Sequence, residues 1–115
     1  MPGDSRGEFH EGQRVLAQQL GYRFWHSGTV DYVIRSAPQT FIKVRFDDGS
    51  LAQHTPSQVK PIDWREGAAI QCQWPRPNDW QDATIAEFEP DRFKLKARFS
   101  DGQVRSISTF NCRSE

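Results

Sequence analysis

The residue types that most often act as nucleophiles, bases or metal ligands are few in this chain of 115 residues, which has two cysteines and three histidines. No serine or cysteine stands in a hydrolase-like order with histidine, and no glycine-rich loop suits a phosphate. His26 and His54 have no cysteine or carboxylate cluster around them, so they predict no metal site. We therefore expect neither catalysis nor a cofactor.

The two cysteines, Cys72 and Cys112, each lie in an apolar stretch of the kind that forms strands. Two cysteines are too few for a disulfide framework, and they lack the paired spacing of a zinc site. The pattern predicts two reduced, buried thiols, which are typical of an intracellular protein.

Trp74 is the aromatic residue whose position is least explained by packing. It is followed by Pro75 and by the polar loop 76–79, so we expect it at a surface rim rather than in a core. An exposed tryptophan at such a rim favours a role in binding.

Charge is balanced, with 15 lysines and arginines against 15 aspartates and glutamates. This balance does not favour strong non-specific binding of nucleic acid, which depends on neutralising phosphates. The basic residues on the strand faces are open to two interpretations. They would contact phosphates or an acidic partner, or, because acidic residues lie nearby, they would belong to an ordinary solvated surface. The basic residues concerned are Lys43, Arg45, Lys94, Lys96 and Arg98. No apolar run is long enough to cross a bilayer, and we expect a monomer without a membrane partner.

Two stretches repeat one another, and the rest of the chain is organised around them. Residues 41–50 alternate apolar and charged side chains around an Asp48-Gly49 pair, and residues 94–103 do the same around Asp101-Gly102. An Asp-Gly pair between alternating runs is a strong signal for a β-hairpin, because the turn requires positive φ. Each stretch is therefore predicted to be a strand that ends in a tight turn.

The register between the two copies is constant along most of their length. Gly12 precedes Trp25 by 13 positions, as Gly67 precedes Trp80. The displacement is 55 residues through the second strand and 53 residues from the third strand onwards. A register that changes only at a turn indicates a duplicated unit.

Each copy is predicted to contain five short strands, with a long bent second strand and one helical turn before the fifth strand. The predicted fold class is all-β, with two tandem five-stranded SH3-like barrels packed against each other. Residues 1–10 are predicted to be a flexible lead-in, residues 11–63 the first barrel and residues 64–115 the second.

A glycine and three tryptophans have predicted structural roles inside this arrangement. Gly28, in the interior of the second strand, suggests a bulge or a sharp bend. Trp25 and Trp80 are expected in the core or between the barrels, because strand alternation points them away from the neighbouring binding positions. Trp64 or Trp25 is expected where the barrels meet.

The pattern resembles the Tudor branch of the Royal family, in tandem form, over residues 11–113. The motifs that carry the resemblance are residues 12–17, 24–30 and 44–49 in the first copy and residues 72–74, 80–85 and 99–102 in the second. The first copy resembles the tandem Tudor domains of DNA-damage checkpoint mediators. The second resembles Tudor repeats of PHD-finger chromatin proteins.

Many Tudor domains bind a methylated lysine or arginine in an aromatic cage, where ring faces and a carboxylate surround the cation. In the second copy the resemblance implies that Trp74, Phe99 and Asp101 form this cage, with Gln81 at a further cage position. In the first copy it implies a weaker site, because Gln19 stands at an aromatic position of the cage. The residues of that site are Phe46, Asp48 and His26, with Tyr22 as an additional ring.

The resemblance therefore implies a nuclear, chromatin-associated tandem Tudor reader of a methylated-lysine peptide, or of a methylated-arginine one, from a histone tail or another protein. The alternative is a Tudor module with a degenerate cage that binds nucleic acid or an unmodified protein partner as a scaffold. Simpler roles also stay open. Phe46 and Phe99 would fit as plugs of the barrel mouths, and the hairpin turns require Asp48 and Asp101 in any case.

Overall fold

The computed structural model describes residues 9–18, 22–36 and 38–115. The chain divides after Ile62 into two compact units, which we call unit one and unit two. Most of the predicted lead-in, Gln19 and the rest of the first loop's centre lie outside the described residues. Within the described residues, the helical segments are single 3₁₀ turns.

Unit one is a five-stranded antiparallel sheet. Its strands are β1 (Arg14–Ala17), β2 (His26–Ser36), β3 (Gln39–Phe46), β4 (Leu51–His54) and β5 (Val59–Pro61). Their order across the sheet is β4-β3-β2-β1-β5, so the first strand lies between the second and the last. The predicted helical turn before the last strand is a 3₁₀ turn at Pro56–Gln58, where the Thr55 backbone N–H donates to Gln58 Oε1 (3.0 Å).

Unit two repeats this architecture. Its strands are β6 (Ala69–Gln73), β7 (Trp80–Glu89), β8 (Lys94–Phe99), β9 (Val104–Ser108) and β10 (Cys112–Arg113). Their order, β10-β6-β7-β8-β9, is that of unit one counted from the opposite edge. The prediction of an all-β fold with two five-stranded units is confirmed. No helix among the described residues is long and apolar enough to cross a membrane.

A β-bulge lies at the same point of the long strand in both units. The register of β2 against β3 shifts between Val30 and Tyr32, and that of β7 against β8 shifts between Ile85 and Glu87. The bulge predicted at Gly28 is therefore three residues further along. Gly28 is required for another reason: a Cβ there would lie 2.8 Å from the carbonyl oxygen of Arg45, so only glycine allows the strands to approach this closely.

The two Asp-Gly turns are built alike. Gly49 and Gly102 have φ of +94° and +84°, which side chains rarely tolerate. Asp48 Oδ1 accepts from the backbone N–H of Ser50 (2.9 Å), and Asp101 Oδ1 accepts from that of Gln103 (2.9 Å). Both aspartates therefore have the turn-closing role that local chain chemistry predicts.

Alternating side chains of the strands form the core of unit one, and this core begins earlier in the chain than predicted. Phe9 is only 2% exposed and packs with Val15, Val30 and Ile42. Its carbonyl oxygen accepts from Arg35 Nη2 (2.9 Å). The prediction of a flexible lead-in is therefore wrong for Phe9, whose apolar ring is removed from water by the sheet.

A buried ion pair fastens the β3–β4 turn of unit one to its first two strands. Arg14 Nη1 and Nη2 donate to the two carboxylate oxygens of Asp47 at 2.6 and 2.9 Å, and the Ser27 hydroxyl donates to the same carboxylate (2.7 Å). The side chains of Arg14 and Asp47 are 12% and 1% exposed. Loss of either partner of such a desolvated charge pair would leave the other buried without its counter-charge, which is strongly destabilising.

Unit two has a disulfide instead. Cys72 on β6 and Cys112 on β10 stand directly opposite one another on paired antiparallel strands, and their sulfur atoms are bonded. The prediction of two reduced thiols is therefore wrong. Pairing of the first and last strands brings together two side chains that are 40 positions apart in the sequence. The argument for an intracellular protein from reduced thiols no longer applies.

Three tryptophans make contacts within their own units. Trp64 is 4% exposed, its indole N–H donates to Ser114 Oγ (3.0 Å), and its ring centroid is 6.2 Å from that of Phe88. These partners all belong to unit two. Trp25 and Trp80 are half-buried, and each lies under a cation of the last strand of its own unit. Lys60 lies 4.6 Å from the Trp25 ring centroid and Arg113 lies 3.8 Å from that of Trp80.

His54, the last residue of β4, is buried. It is 3% exposed, and its ring packs edge-on against Phe46 with centroids 5.6 Å apart. Its Nε2 is buried without a hydrogen-bond partner. Burial lowers the pKa of His54 from its ordinary value of 6.5, and a hydrogen bond with the Gln18 backbone opposes this effect.

We expect unit one to lose stability as the pH falls below about 6.5, the ordinary pKa of histidine. Because burial lowers the pKa of His54 in the folded state, the unfolded chain takes up the proton first. The loss therefore begins below the unfolded-state pKa and levels off below the folded-state one. NMR-detected urea unfolding between pH 8 and 5 would measure it. His54→Ile, which copies Ile107 of unit two, should remove this part of the pH dependence; an unchanged profile would contradict the prediction.

Candidate functional site

The candidate site of unit two lies where three strand ends meet. Trp74 directly follows β6, Phe99 is the last residue of β8, and Asp101 lies in the turn between β8 and β9. The fourth member, Arg105, is the second residue of β9. The antiparallel pairing of β8 with β9 brings Arg105 back beside the turn that holds Asp101.

These residues surround one guanidinium group. The Cζ atom of Arg105 lies 5.0 Å from the centroid of the Trp74 ring and also 5.0 Å from that of Phe99. Arg105 Nη2 donates to Asp101 Oδ2 at 2.9 Å, and Nη1 lies 3.4 Å from Asp101 Oδ1. Two rings within about 6 Å and a facing carboxylate are the elements of a cation site. We call Trp74, Phe99 and Asp101 the unit-two cage.

Hydrogen bonds hold the backbone of Trp74 on both sides. Its N–H donates to the carbonyl oxygen of Asp79 (3.0 Å), which closes the polar loop behind it. Its own carbonyl oxygen accepts from Gln81 Nε2 (2.5 Å). The structure therefore places the Gln81 amide against the backbone of Trp74, where it supports the loop. The Trp74 residue is 38% exposed, at the rim that its sequence context predicts.

Electrostatics within the unit-two cage favour the ionised carboxylate. The hydrogen bond from Arg105 lowers the pKa of Asp101 below its ordinary value, and the turn hydrogen bond from Gln103 adds to the effect. Phe99 is 4% exposed, and Arg105 is among the groups that cover its ring. The cage therefore places one carboxylate and two aromatic rings around a cation, the guanidinium of Arg105.

The corresponding residues of unit one also come together. The His26 and Phe46 rings meet edge-on at a centroid distance of 6.4 Å. The hydrogen bond from the Ser50 hydroxyl lowers the pKa of Asp48, and the nearby charge of His26 contributes. Phe46 is 8% exposed and belongs to the core cluster of unit one, and Phe99 is 4% exposed, so both rings also fit the plug interpretation. Ala52 stands at the position equivalent to Arg105.

Tyr22 lies at the edge of unit one with 65% of its surface exposed, the largest value among the exposed large apolar side chains of the described residues. Gln19, at the aromatic position of the first copy, lies outside the described residues. Among the residues that the structure describes, no group of three or more histidine, cysteine or acidic side chains could hold a metal ion.

The residue of the candidate site that sequence reasoning missed is Arg105. Two signals in the sequence point to it: it follows Asp101 by four positions across a tight turn, and its counterpart in the first copy is an alanine, Ala52. A charge that one copy has and the other lacks is not required by the common fold.

Two tandem five-stranded units with these turns and bulges define a tandem Tudor-like fold. The chain is similar to the crystal structure of Crb2 tandem tudor domains, with a TM-score of 0.65 and 17% sequence identity over 93% of this chain and 80% of that one. This likeness confirms the tandem Tudor-like fold predicted from the motifs. A second structure, the Arabidopsis thaliana SHH1 SAWADEE domain, matches with a TM-score of 0.38 and 12% identity over 90% of this chain and 97% of that one. No protein-family model matches the chain, and no curated protein matches it significantly.

Proposed function

We propose that the chain is a chromatin-associated reader module, in which the unit-two cage binds a peptide that carries a methylated lysine. The observation that carries this proposal is the arrangement of Trp74, Phe99 and Asp101 around a cationic side chain, that of Arg105. A group of side chains that already binds one cation inside the protein has the chemistry to bind another from a partner.

Each member of the cage has a distinct part in this binding. The Trp74 ring supplies the strongest cation–π partner among the aromatic side chains, and Phe99 supplies a second ring face. Asp101 is held ionised, so it favours a positive ligand and would accept a hydrogen bond from a lysine with one or two methyl groups. The tandem Tudor-like fold supports the choice of a histone tail or another methylated protein as the partner, and hence a nuclear location.

Unit one is proposed as the weaker site. It offers Phe46 and Asp48, but its second ring is the imidazole of His26, and Gln19 stands at the position of Trp74. Phe46 is also packed between His26 and His54, which leaves little of its face for a ligand. Tyr22, which is largely exposed, is proposed as an additional ring of this site.

The alternative of nucleic-acid binding has less support in the structure. Two of the basic strand residues face carboxylates: Arg45 Nη2 lies 3.6 Å from Asp31, and Lys96 Nζ lies 3.5 Å from Glu87. Neighbouring acids reduce the potential that would attract phosphates. A salt-dependent gel shift with duplex DNA, run beside the peptide titration, separates the two functions.

Replacing Trp74 with alanine should weaken the binding of a methylated-lysine peptide at least about tenfold. A desolvated cation–π contact is worth about 2 kcal/mol, which corresponds to roughly thirty-fold in affinity. The melting temperature should change little, because Trp74 is exposed at a rim. Calorimetric titration with trimethylated and unmethylated histone peptides would measure the effect.

Phe93→Ala is the matched control, because it removes another exposed aromatic ring of unit two at the opposite end of β8. It should leave the affinity unchanged. The proposal would be wrong if no methylated peptide from a broad array bound to the wild-type protein, or if Trp74→Ala unfolded unit two while binding persisted in the folded fraction.

A further inference from the structure

We propose that Arg105 is a resident ligand of the unit-two cage, which an external cation has to displace, so that Arg105 sets the affinity of the site. This inference rests on the proposed function and adds the residue that regulates it. The methylated side chain and the Arg105 guanidinium would compete for the same two ring faces and the same carboxylate.

The contacts of Arg105 use every element of the cage at once. Its guanidinium lies 5.0 Å from both ring centroids and is held by both carboxylate oxygens of Asp101, at 2.9 and 3.4 Å. Only 24% of its side chain is exposed to solvent. A trimethylammonium group against the same rings would overlap with the guanidinium, because both need the space between the rings and the carboxylate.

Arg105 is not required to form the turn beside it. In unit two, two hydrogen bonds close the turn. The backbone N–H of Gly102 donates to the carbonyl oxygen of Phe99 (2.9 Å), and that of Gln103 donates to Asp101 Oδ1 (2.9 Å). Unit one closes the same turn with equivalent hydrogen bonds, although Ala52 stands in place of Arg105. The equivalence is direct, since Ala52 pairs with Val44 as Arg105 pairs with Ala97.

The effect on ligand binding follows from competition. The apparent dissociation constant of a site rises by the reciprocal of the fraction of molecules in the binding-competent state. If the arginine side chain leaves the cage in about one molecule in ten, the affinity for an external cation falls about tenfold. Conditions that weaken the contact between Arg105 and Asp101 would then raise the affinity without any change of fold.

The test compares Arg105→Ala with the wild-type protein. Arg105→Ala copies Ala52 of unit one, and Arg105→Gln keeps most of the side-chain length without the charge. Arg98→Ala is the control: it removes one positive charge from an exposed residue of β8 in the same hairpin. Each variant is titrated with the amide of acetylated trimethyllysine, and binding is followed by the indole NMR signal of Trp74. Amide spectra establish that each variant is folded.

We expect both Arg105 variants to bind the trimethyllysine amide about tenfold more tightly than the wild type, with Arg98→Ala unchanged. In the wild type, the side-chain proton signals of Arg105 should also be shifted by the ring currents of Trp74 and Phe99, and the shift should disappear as the probe binds. Equal or weaker binding by both Arg105 variants would overturn the inference.

The outcomes distinguish this inference from the proposed function. Tighter binding of the probe by Arg105→Ala, with no methylated histone peptide bound by any variant, would support the resident ligand and reject the histone reader. Binding of a methylated peptide by the wild type, with no gain in affinity in the Arg105 variants, would support the reader function and reject the resident ligand. Failure of every variant to bind either ligand would reject both.

Discussion

Asp47→Ser is expected to lower the free energy of unfolding of unit one by about 3–5 kcal/mol, the usual cost of removing one partner of a buried ion pair. The Asp47 side chain is 1% exposed, and it accepts hydrogen bonds from Arg14 at 2.6 and 2.9 Å and from Ser27 at 2.7 Å. Without this carboxylate, the guanidinium of Arg14 stays desolvated and loses its main counter-charge. Urea unfolding followed by the NMR signals of unit-one amides would measure the loss.

The chain itself provides the control for this substitution. Unit two has Ala69 and Ser100 at the positions of Arg14 and Asp47, and it folds without the ion pair. The double variant Arg14→Ala/Asp47→Ser should therefore lose less stability than Asp47→Ser alone, because no unpaired charge remains buried. If the double variant were no more stable than Asp47→Ser alone, the desolvated arginine would not be the cause of the lost stability.

Reduction of the Cys72–Cys112 disulfide is expected to lower the stability of unit two by about 4 kcal/mol, from the loop-closure entropy that a cross-link of this span removes from the unfolded chain. The bond joins β6 and β10, which are 40 positions apart in sequence. Unit one has no equivalent bond, so the urea midpoint of its amide signals should not move. Unfolding with and without a phosphine reductant, with free thiols counted by mass spectrometry, provides the measurement.

The substitution pair Cys72→Ala/Cys112→Val separates the cross-link from packing. It places in unit two the residues Ala17 and Val59 that face each other on β1 and β5 of unit one. This variant should be as stable as the reduced wild type and should not respond to reductant. Wild-type stability that is equal in the oxidised and reduced states would contradict the prediction.

Features that depend on near neighbours in the chain were predictable from the sequence. The Asp-Gly turns follow from the φ that glycine tolerates and from the aspartate side chain that closes the turn. The fourth strand, Leu51–His54, is bounded by turn signals on both sides, the Asp48-Gly49 pair before it and Pro56 after it. Because the two copies share one register, the strands of the second unit follow from those of the first.

Features that depend on pairing between distant strands were not predictable. The disulfide forms because β6 and β10 place two cysteines directly opposite one another, and neither local stretch contains that information. The Arg14–Asp47 pair joins residues that are 33 positions apart. The burial of His54 depends on the ring of Phe46 in the neighbouring strand, and the burial of Phe9 depends on a sheet formed by later residues.

Arg105 belongs to both groups. Its distance of four positions from Asp101 makes the ion pair a local feature. Its contact with Trp74 is not local, because Trp74 follows the first strand of the unit and Arg105 lies on the fourth. A sequence comparison of the two copies identifies the charge, but only the fold shows that it lies inside the cage.

Unit one has a buried ion pair whereas unit two has a disulfide, and this difference bears on how a duplicated chain folds correctly. Two copies with one backbone topology can exchange strands, and such misassembly is a known hazard of repeat proteins. In an exchanged sheet, Arg14 would face Ser100 in place of Asp47, and Cys72 would face Val59 in place of Cys112. The hybrid would bury an arginine without its counter-charge and would leave a thiol without its bond. The side chains that distinguish the copies would therefore disfavour the wrong strand partners, which the shared backbone pattern cannot do.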